Sequence, residues 1–376
     1  MESGTTWRWP ALHEAQRAVL LDMLVHGERS RADLARRTGL SRTSLTRLTR
    51  DLVELHLVEE GDTAAPQGRG RPSEMLRLRP GAAAFVGIKL TGDALYAAVT
   101  DLHATVLDTE EHPLRSRSVA DVVDQIGEVV EHLGARHPRL AAVGVCLAGD
   151  VHLADGRAVV VGSHFLGWDE APLERLVEER TGLPTAISND VQALTAAHHW
   201  FGAGVGRRSL VVIGLGAGIG AGVVVNDELV RGARGHPGKV GHLPVRSDGP
   251  QCDRGHTGCV SAFVTIPAIE RASGIDGLDA TIDAARDGDE HAHAALVAAA
   301  EALGCVIAQL VNVIDPEKVI VTGEGLPMAE YARDVMDREL TARLDPAAEP
   351  AELDLHPFDF ADYAWAAAIS AIRHVV

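Results

Sequence analysis

Apolar and polar positions recur along this chain with two different periods, and the change of period sets the first stretch, residues 1–80, apart from the rest. Leu12, Val19, Leu20, Met23 and Leu24 share one face at helical spacing, and Gly27 follows as a stop. Ser30 with Asp33 three positions on reads as the start of a short second helix, with Leu34 and Ala35 inward and Gly39 closing it. Ser41 caps a third helix in which Leu45, Leu48, Leu52 and Leu55 recur at spacings of three and four. Its opposite face carries Arg42, Thr43, Ser44, Arg47 and Arg50. After Leu57-Val58 comes Gly61 to Arg79, with Gln67-Gly68-Arg69-Gly70-Arg71-Pro72 in the middle. That stretch reads as a two-stranded wing with a doubly basic tip; the plainer alternative is a solvated linker.

Beyond residue 80 strand and helix patterns alternate, which indicates an α/β fold. Phe85 to Leu90, Leu95 to Val99, Ala141 to Gly149 and Thr185 to Asp190 read as strands, Val119 to Leu133 and Val191 to Trp200 as helices. Val211-Val212-Ile213 and Val223-Val224-Val225 are buried-strand runs flanking Gly214, Gly216, Gly218, Gly220 and Gly222. A turn so poor in side chains lets backbone N–H groups approach an anion, although a bare hairpin has the same look. A last amphipathic helix runs from Phe360 to Arg373.

Composition changes the picture chiefly through charge. The net charge of −18 argues against a nucleic-acid binder, but the average conceals an asymmetry. Residues 1–80 hold 13 arginines against 11 acidic residues, whereas the remainder holds 22 basic against 42 acidic. A small nucleic-acid-facing module on an acidic body is the expectation. Helix, short helix, turn and longer helix is the helix-turn-helix plan, whose second helix enters the major groove of double-stranded DNA. Ser41, Arg42, Thr43, Ser44 and Arg47 are then the candidate base and phosphate contacts, with Arg69 and Arg71 reaching a minor groove from the wing. The competing reading of this module is a helical protein-interaction domain. Four scattered cysteines exclude a disulfide framework, no run of about 18 apolar residues indicates a membrane span, and MESGTTWRWP has no apolar signal core. A cytoplasmic protein without membrane partners is expected.

The densest chemistry is Gly238-Lys239-Val240-Gly241-His242 followed by Cys252-Asp253-Arg254-Gly255-His256-Thr257-Gly258-Cys259. With the glycine turn before it, this succession resembles the ROK family of repressors, open reading frames and sugar kinases, and the resemblance runs from about residue 11 to the end. It implies an N-terminal winged helix-turn-helix domain over 1–80 and an actin-like (ribonuclease H-like) two-lobed ROK domain over 81–376. Lobe one is expected over about 81–190 with the C-terminal helix 360–376, and lobe two over about 191–359. Family members are dimers or tetramers, so a homodimer or homotetramer is implied.

The resemblance also assigns sites. It implies a structural zinc, for which His242, Cys252 and Cys259 match the family ligands. Arg254 stands at the position of a further cysteine, so His256 is the candidate fourth ligand and Asp253 a weaker one; the other outcome is loss of the metal. For the sugar it implies Asn189 and Asp190, a pair that without this context would be only a helix cap. His164, Lys239 and Ser261 replace an Asn and two Glu of the family's hydroxyl-binding set, which His242 completes. Losing two carboxylates and gaining a cation suits an acidic or phosphorylated, sugar-derived effector, or else marks a regulator without a sugar ligand. Trp168 fits lobe packing better than a sugar platform. Lys89 where kinases carry a magnesium-organising Asp, Ala217 in place of Thr and Glu324 in place of Gly all oppose ATP. A transcriptional repressor with no catalytic activity, binding its effector between the lobes, is therefore the expected function; a sugar kinase with an added domain, and a regulator working by protein contact, are the alternatives.

Overall fold

The computed structural model describes residues 7–64, 73–235 and 237–376. The chain divides into two units, Met1–Gly206 with Ala361–Val376, and Arg207–Phe360.

The first unit opens with the winged helix. Helix α1 (Glu14–His26) starts at a reciprocal cap: the Gln16 N–H donates to His13 Nδ1 at 3.3 Å and the His13 N–H to Gln16 Oε1 at 3.1 Å. Strand β1 (Arg29–Ser30) leads into α2 (Arg31–Thr38), capped by Ser30 and closed by Gly39 at φ 69°. Helix α3 (Arg42–Glu54) is capped by Ser41, whose Oγ accepts from the Ser44 N–H at 3.1 Å. Leu45, Leu48 and Leu52 are buried as the spacing requires. Leu55, expected on the same face, is 41% exposed, because the helix ends at Glu54 and Leu55 becomes its cap. Strands β2 (Val58–Ala64) and β3 (Ser73–Leu78) pair antiparallel and, with β1, make a three-stranded wing of order β1-β3-β2. Arg69 and Arg71, the expected wing tip, lie outside the described residues.

Strands β4 (Ala84–Leu90), β5 (Ala94–Asp101) and β6 (Val106–Pro113) follow in the first unit and then, after helix α4 (Val119–Arg136), β7 (Leu140–Leu147). A hairpin of β8 (Asp150–Ala154) and β9 (Arg157–Gly162) and helix α5 (Leu173–Thr181) precede β10 (Thr185–Asn189) and helix α6 (Asp190–Phe201). The sheet order is β10-β7-β4-β5-β6, with β4 and β10 both parallel to β7. The C-terminal helix, Ala361–Val375, returns to this sheet. Two glycines paired across β4 and β7 admit it: a Cβ on Gly87 would sit 1.9 Å from the Ala364 carbonyl oxygen, and one on Gly144 would sit 1.8 Å from that of Ala367. The compact unit that holds this sheet runs past residue 190 to Gly206. The reason is the last turn of α6, where His198 and Trp200 are buried against Trp365 and Arg373 of the C-terminal helix.

The second unit carries β11 (Leu210–Leu215), β12 (Ile219–Val225) and β13 (Glu228–Leu229), then helices α7 (Ser261–Val264), α8 (Ile266–Ser273), α9 (Leu278–Arg286) and α10 (Glu290–Ile314). Strand β14 (Lys318–Thr322), helices α11 (Leu326–Tyr331) and α12 (Arg333–Arg343), and β15 (Glu352–Leu355) complete a sheet of order β13-β12-β11-β14-β15. The two valine runs form the hairpin β11–β12, closed by Gly216-Ala217-Gly218. Helix α10 is long and apolar enough to cross a membrane, the one such helix among the described residues, but Leu296, Ala299, Leu303 and Val306 bury it in the core of this unit.

Candidate functional site

On the winged helix, Ser41, Arg42, Thr43, Ser44 and Arg47 are all exposed on the N-terminal half of α3. Arg42, Thr43 and Arg47 line an open groove of about 720 Å³ together with Thr46, Arg50 and Arg31. Arg31 is held by Glu60 and, at 2.8 Å, by Glu74, so its charge braces α2 against the wing. Arg50 lies 3.6 Å from Glu54 and 3.7 Å from Asp51. Among the described residues neither Arg42 nor Arg47 makes an ion pair. Two guanidinium groups without carboxylate partners, on a helix whose other face is buried, can meet phosphates or base edges. Thr46 and Arg31 were not singled out by the sequence pattern; Thr46 could have been, as it stands one turn after Arg42.

His164 is exposed in the turn Ser163–Trp168, beside Phe165, which is 50% exposed. Trp168 is buried, and its Nε1 donates to the Arg117 carbonyl at 2.6 Å, as lobe packing requires. Asn189 caps α6: its Oδ1 accepts from the Val191 N–H at 3.0 Å, while its Nδ2 donates to the Gly149 carbonyl at 2.9 Å. Asp190, the first residue of α6, forms an ion pair with Lys89 from β4. Both side chains are buried, 5% and 9% exposed, and the Tyr363 ring stands 4.4 Å from the ammonium. The second oxygen of Asp190, Oδ1, has no hydrogen-bond partner among the described residues. The Cys146 thiol lies beside this pair and donates to the Tyr363 carbonyl at 3.3 Å; burial pushes its pKa well up, the Asp190 charge adds to that, and Lys89 opposes it.

In the second unit Lys239 is exposed just before the single 3-10 turn Val240–His242. Gly238 holds this turn against β12 at φ 75°, where a Cβ would lie 1.5 Å from the Ala221 carbonyl oxygen. Ser261 opens α7 and its Oγ is buried without a partner. The Glu324 carboxylate lies over the glycine turn: a Cβ on Gly216 would be 2.6 Å from its Oε2.

His242, Cys252, His256 and Cys259 converge, with one ligand atom from each inside a span of 4.8 Å. The two imidazoles meet edge to face at 5.6 Å between centroids. Cys252 and His256 are the ends of a tight turn, in which the Cys252 N–H donates to the His256 carbonyl at 2.8 Å. Gly258 has φ 72°, and a Cβ added there would lie 2.0 Å from the Arg246 carbonyl oxygen, so only glycine brings Cys259 back to the cluster. Burial raises the Cys252 thiol, but hydrogen bonds with the backbone at Arg254 and His256 leave it below its ordinary value. Burial and the neighbouring Cys252 keep the Cys259 thiol above its own. Two thiols and two imidazoles at this spacing are a donor set that fits a zinc ion. Asp253 stands farther off, with Oδ1 3.9 Å from His242 Nε2.

A winged helix joined to a sugar-kinase-like body is the plan of a regulator built on an enzyme fold. The family profile described as ROK family matches residues 85–365, and the chain belongs to the ROK family. It is 27% identical over 331 residues to the DNA-binding transcriptional repressor Mlc of Escherichia coli K12, covering 83% of this chain and 80% of that one. Among solved structures, a ROK family transcriptional regulator described as a homolog of the E. coli Mlc protein superposes with a TM-score of 0.82 at 23% identity, over 96% of both chains. A ROK family glucokinase from Streptomyces griseus, solved with glucose and AMPPNP, superposes with a TM-score of 0.65 at 27% identity, over 77% of this chain and all of that one.

Proposed function

We propose that this protein is a DNA-binding transcriptional repressor whose operator affinity is set by a sugar or sugar-derived effector. The observation that carries the reading is the pair of arginines, Arg42 and Arg47, that make no ion pair among the described residues and stand on the exposed face of a capped helix in a winged helix-turn-helix. The kinship with the Mlc repressor supports it. In the first unit the effector-contacting residues of this reading are His164, Asn189 and Asp190; in the second, Lys239, His242 and Ser261 are the candidates. A homodimer reading a two-fold symmetric operator is part of the proposal, as is a cytoplasmic location.

The body is not a kinase in this reading. Lys89 occupies the carboxylate of Asp190, which a kinase needs to take a proton from the sugar hydroxyl. An ammonium at that point also repels the divalent ion that accompanies ATP. Glu324 crowds the glycine turn with a second negative charge where a nucleotide phosphate would add more. Zinc, held by His242, Cys252, His256 and Cys259, has a structural role: it would tie the two ends of the 242–259 segment together. A gel-shift titration on the promoter adjoining the protein's own gene tests the reading. Binding that is relieved by a sugar supports it, and phosphorylation of a hexose with ATP would replace it with the kinase.

A further inference from the structure

We propose that Lys89 is the resident counter-ion of the effector seat, a positioning residue that holds Asp190 as a fixed hydrogen-bond acceptor and makes ligand binding independent of metal and nucleotide. The proposal rests on the effector reading above and deepens it. Its ground is the geometry of one row of the sheet. Lys89 pairs with Cys146 across β4–β7, and Cys146 pairs with Ser188 across β7–β10, so Lys89 lies in line with the strand end that delivers Asp190. The carboxylate has one oxygen on the ammonium; the other, Oδ1, has no partner in hydrogen-bond geometry among the described residues, with the Cys146 thiol as its neighbour, although the side chain is only 9% exposed. A buried acceptor left open at the start of a helix is costly unless a ligand satisfies it. A sugar hydroxyl is the donor that fits: it brings one hydrogen and no charge to a pair that is already neutral. The Tyr363 ring stands 4.4 Å from the ammonium on one side, and the Cys146 thiol, which donates to the Tyr363 carbonyl, lies beside the pair on the same row of the sheet. Lys89 thus acts through Asp190, and its charge does the work that a metal does beside a kinase carboxylate.

The test is isothermal titration of the full chain with D-xylose, D-glucose, N-acetylglucosamine, glucuronate and glucose 6-phosphate, each in EDTA and again with magnesium and AMPPNP. The parent should bind one or more of these equally in both buffers. Lys89→Met should weaken binding about tenfold or more, the scale of a hydrogen bond to a charged group, and Lys89→Arg should restore it to within a few-fold. Thermal melts separate this from a merely structural role: adding Asp190→Asn to Lys89→Met should recover the lost melting temperature but not the binding. Parent-like affinity in Lys89→Met, or binding that needs magnesium and AMPPNP, would overturn the proposal and leave the effector reading intact. Silence across the whole panel would overturn both.

Discussion

Gly144→Ala should be among the most damaging single-atom additions in the first unit. The new Cβ would lie 1.8 Å from the Ala367 carbonyl oxygen, inside the backbone of the C-terminal helix, so no side chain can swing away to make room. Ordinary contact needs a separation of about 3.3 Å, so the helix must lift by roughly 1.5 Å along much of its length. Overpacking of a close-packed core costs about 1–3 kcal/mol when side chains can adjust, and here the obstacle is main chain, so a loss of at least about 3 kcal/mol is expected. For a unit of this size that corresponds to a fall in Tm of roughly 6–12 °C. The lifted helix also carries Tyr363 away from Lys89, so the ion-pair corner should loosen with it. Differential scanning fluorimetry and urea unfolding monitored at tryptophan suffice. Gly81→Ala, where an added Cβ meets nothing within 4 Å, is the control and should melt with the parent. A Gly144→Ala protein whose Tm stays within about 1 °C of the parent would refute the reasoning, because it would mean that the helix does not seat on the sheet through these glycines.

Other expectations can be checked as directly. Ser41→Ala removes the cap of the reading helix and should cost about 1 kcal/mol, seen as a lower Tm, with a matching loss of DNA affinity. Cys252→Ser and His256→Ala should each lower the zinc content of purified protein, measured by plasma mass spectrometry, from near one per chain toward zero, whereas Asp253→Ala should leave it unchanged. Gly258→Ala should disturb the same site without touching a ligand, since its added Cβ would stand 2.0 Å from the Arg246 carbonyl oxygen; unchanged zinc retention in that variant would count against the loop geometry.

Much of this architecture is legible in the sequence because it is local. Caps at Ser30 and Ser41, stops at Gly27 and Gly39, and the leucine spacing of α3 depend on neighbours within a few positions, and the structure has them where the pattern puts them. The glycine turn and the ROK signature are contiguous for the same reason. What stayed hidden is what the sheet order brings together. Lys89 and Asp190 are 101 positions apart and meet only because β7 lies between β4 and β10. Read from the sequence, Lys89 is a missing carboxylate; in the fold it is a partner for one. Asn189 shows the reverse: its cap and its bond to Gly149 use both ends of the amide, so the structural role the bare dipeptide suggests is present alongside any contact with a ligand. Gly87 and Gly144 carry no signal in a strand pattern, because their reason for being glycine is a helix more than two hundred residues away.

The most direct test of the central claim is fluorescence anisotropy of the full chain on a labelled fragment of the promoter adjoining its own gene, across a salt series, beside the Arg42→Ala, Arg47→Ala double variant. Binding by the parent should fall steeply with salt, and the slope of log affinity against log salt should lose about 0.9 for each arginine–phosphate contact removed, with specific binding abolished in the variant. A parent that binds no tighter to this fragment than to unrelated DNA, or a variant that binds with unchanged affinity and slope, would contradict the assignment of α3 as the element that reads DNA.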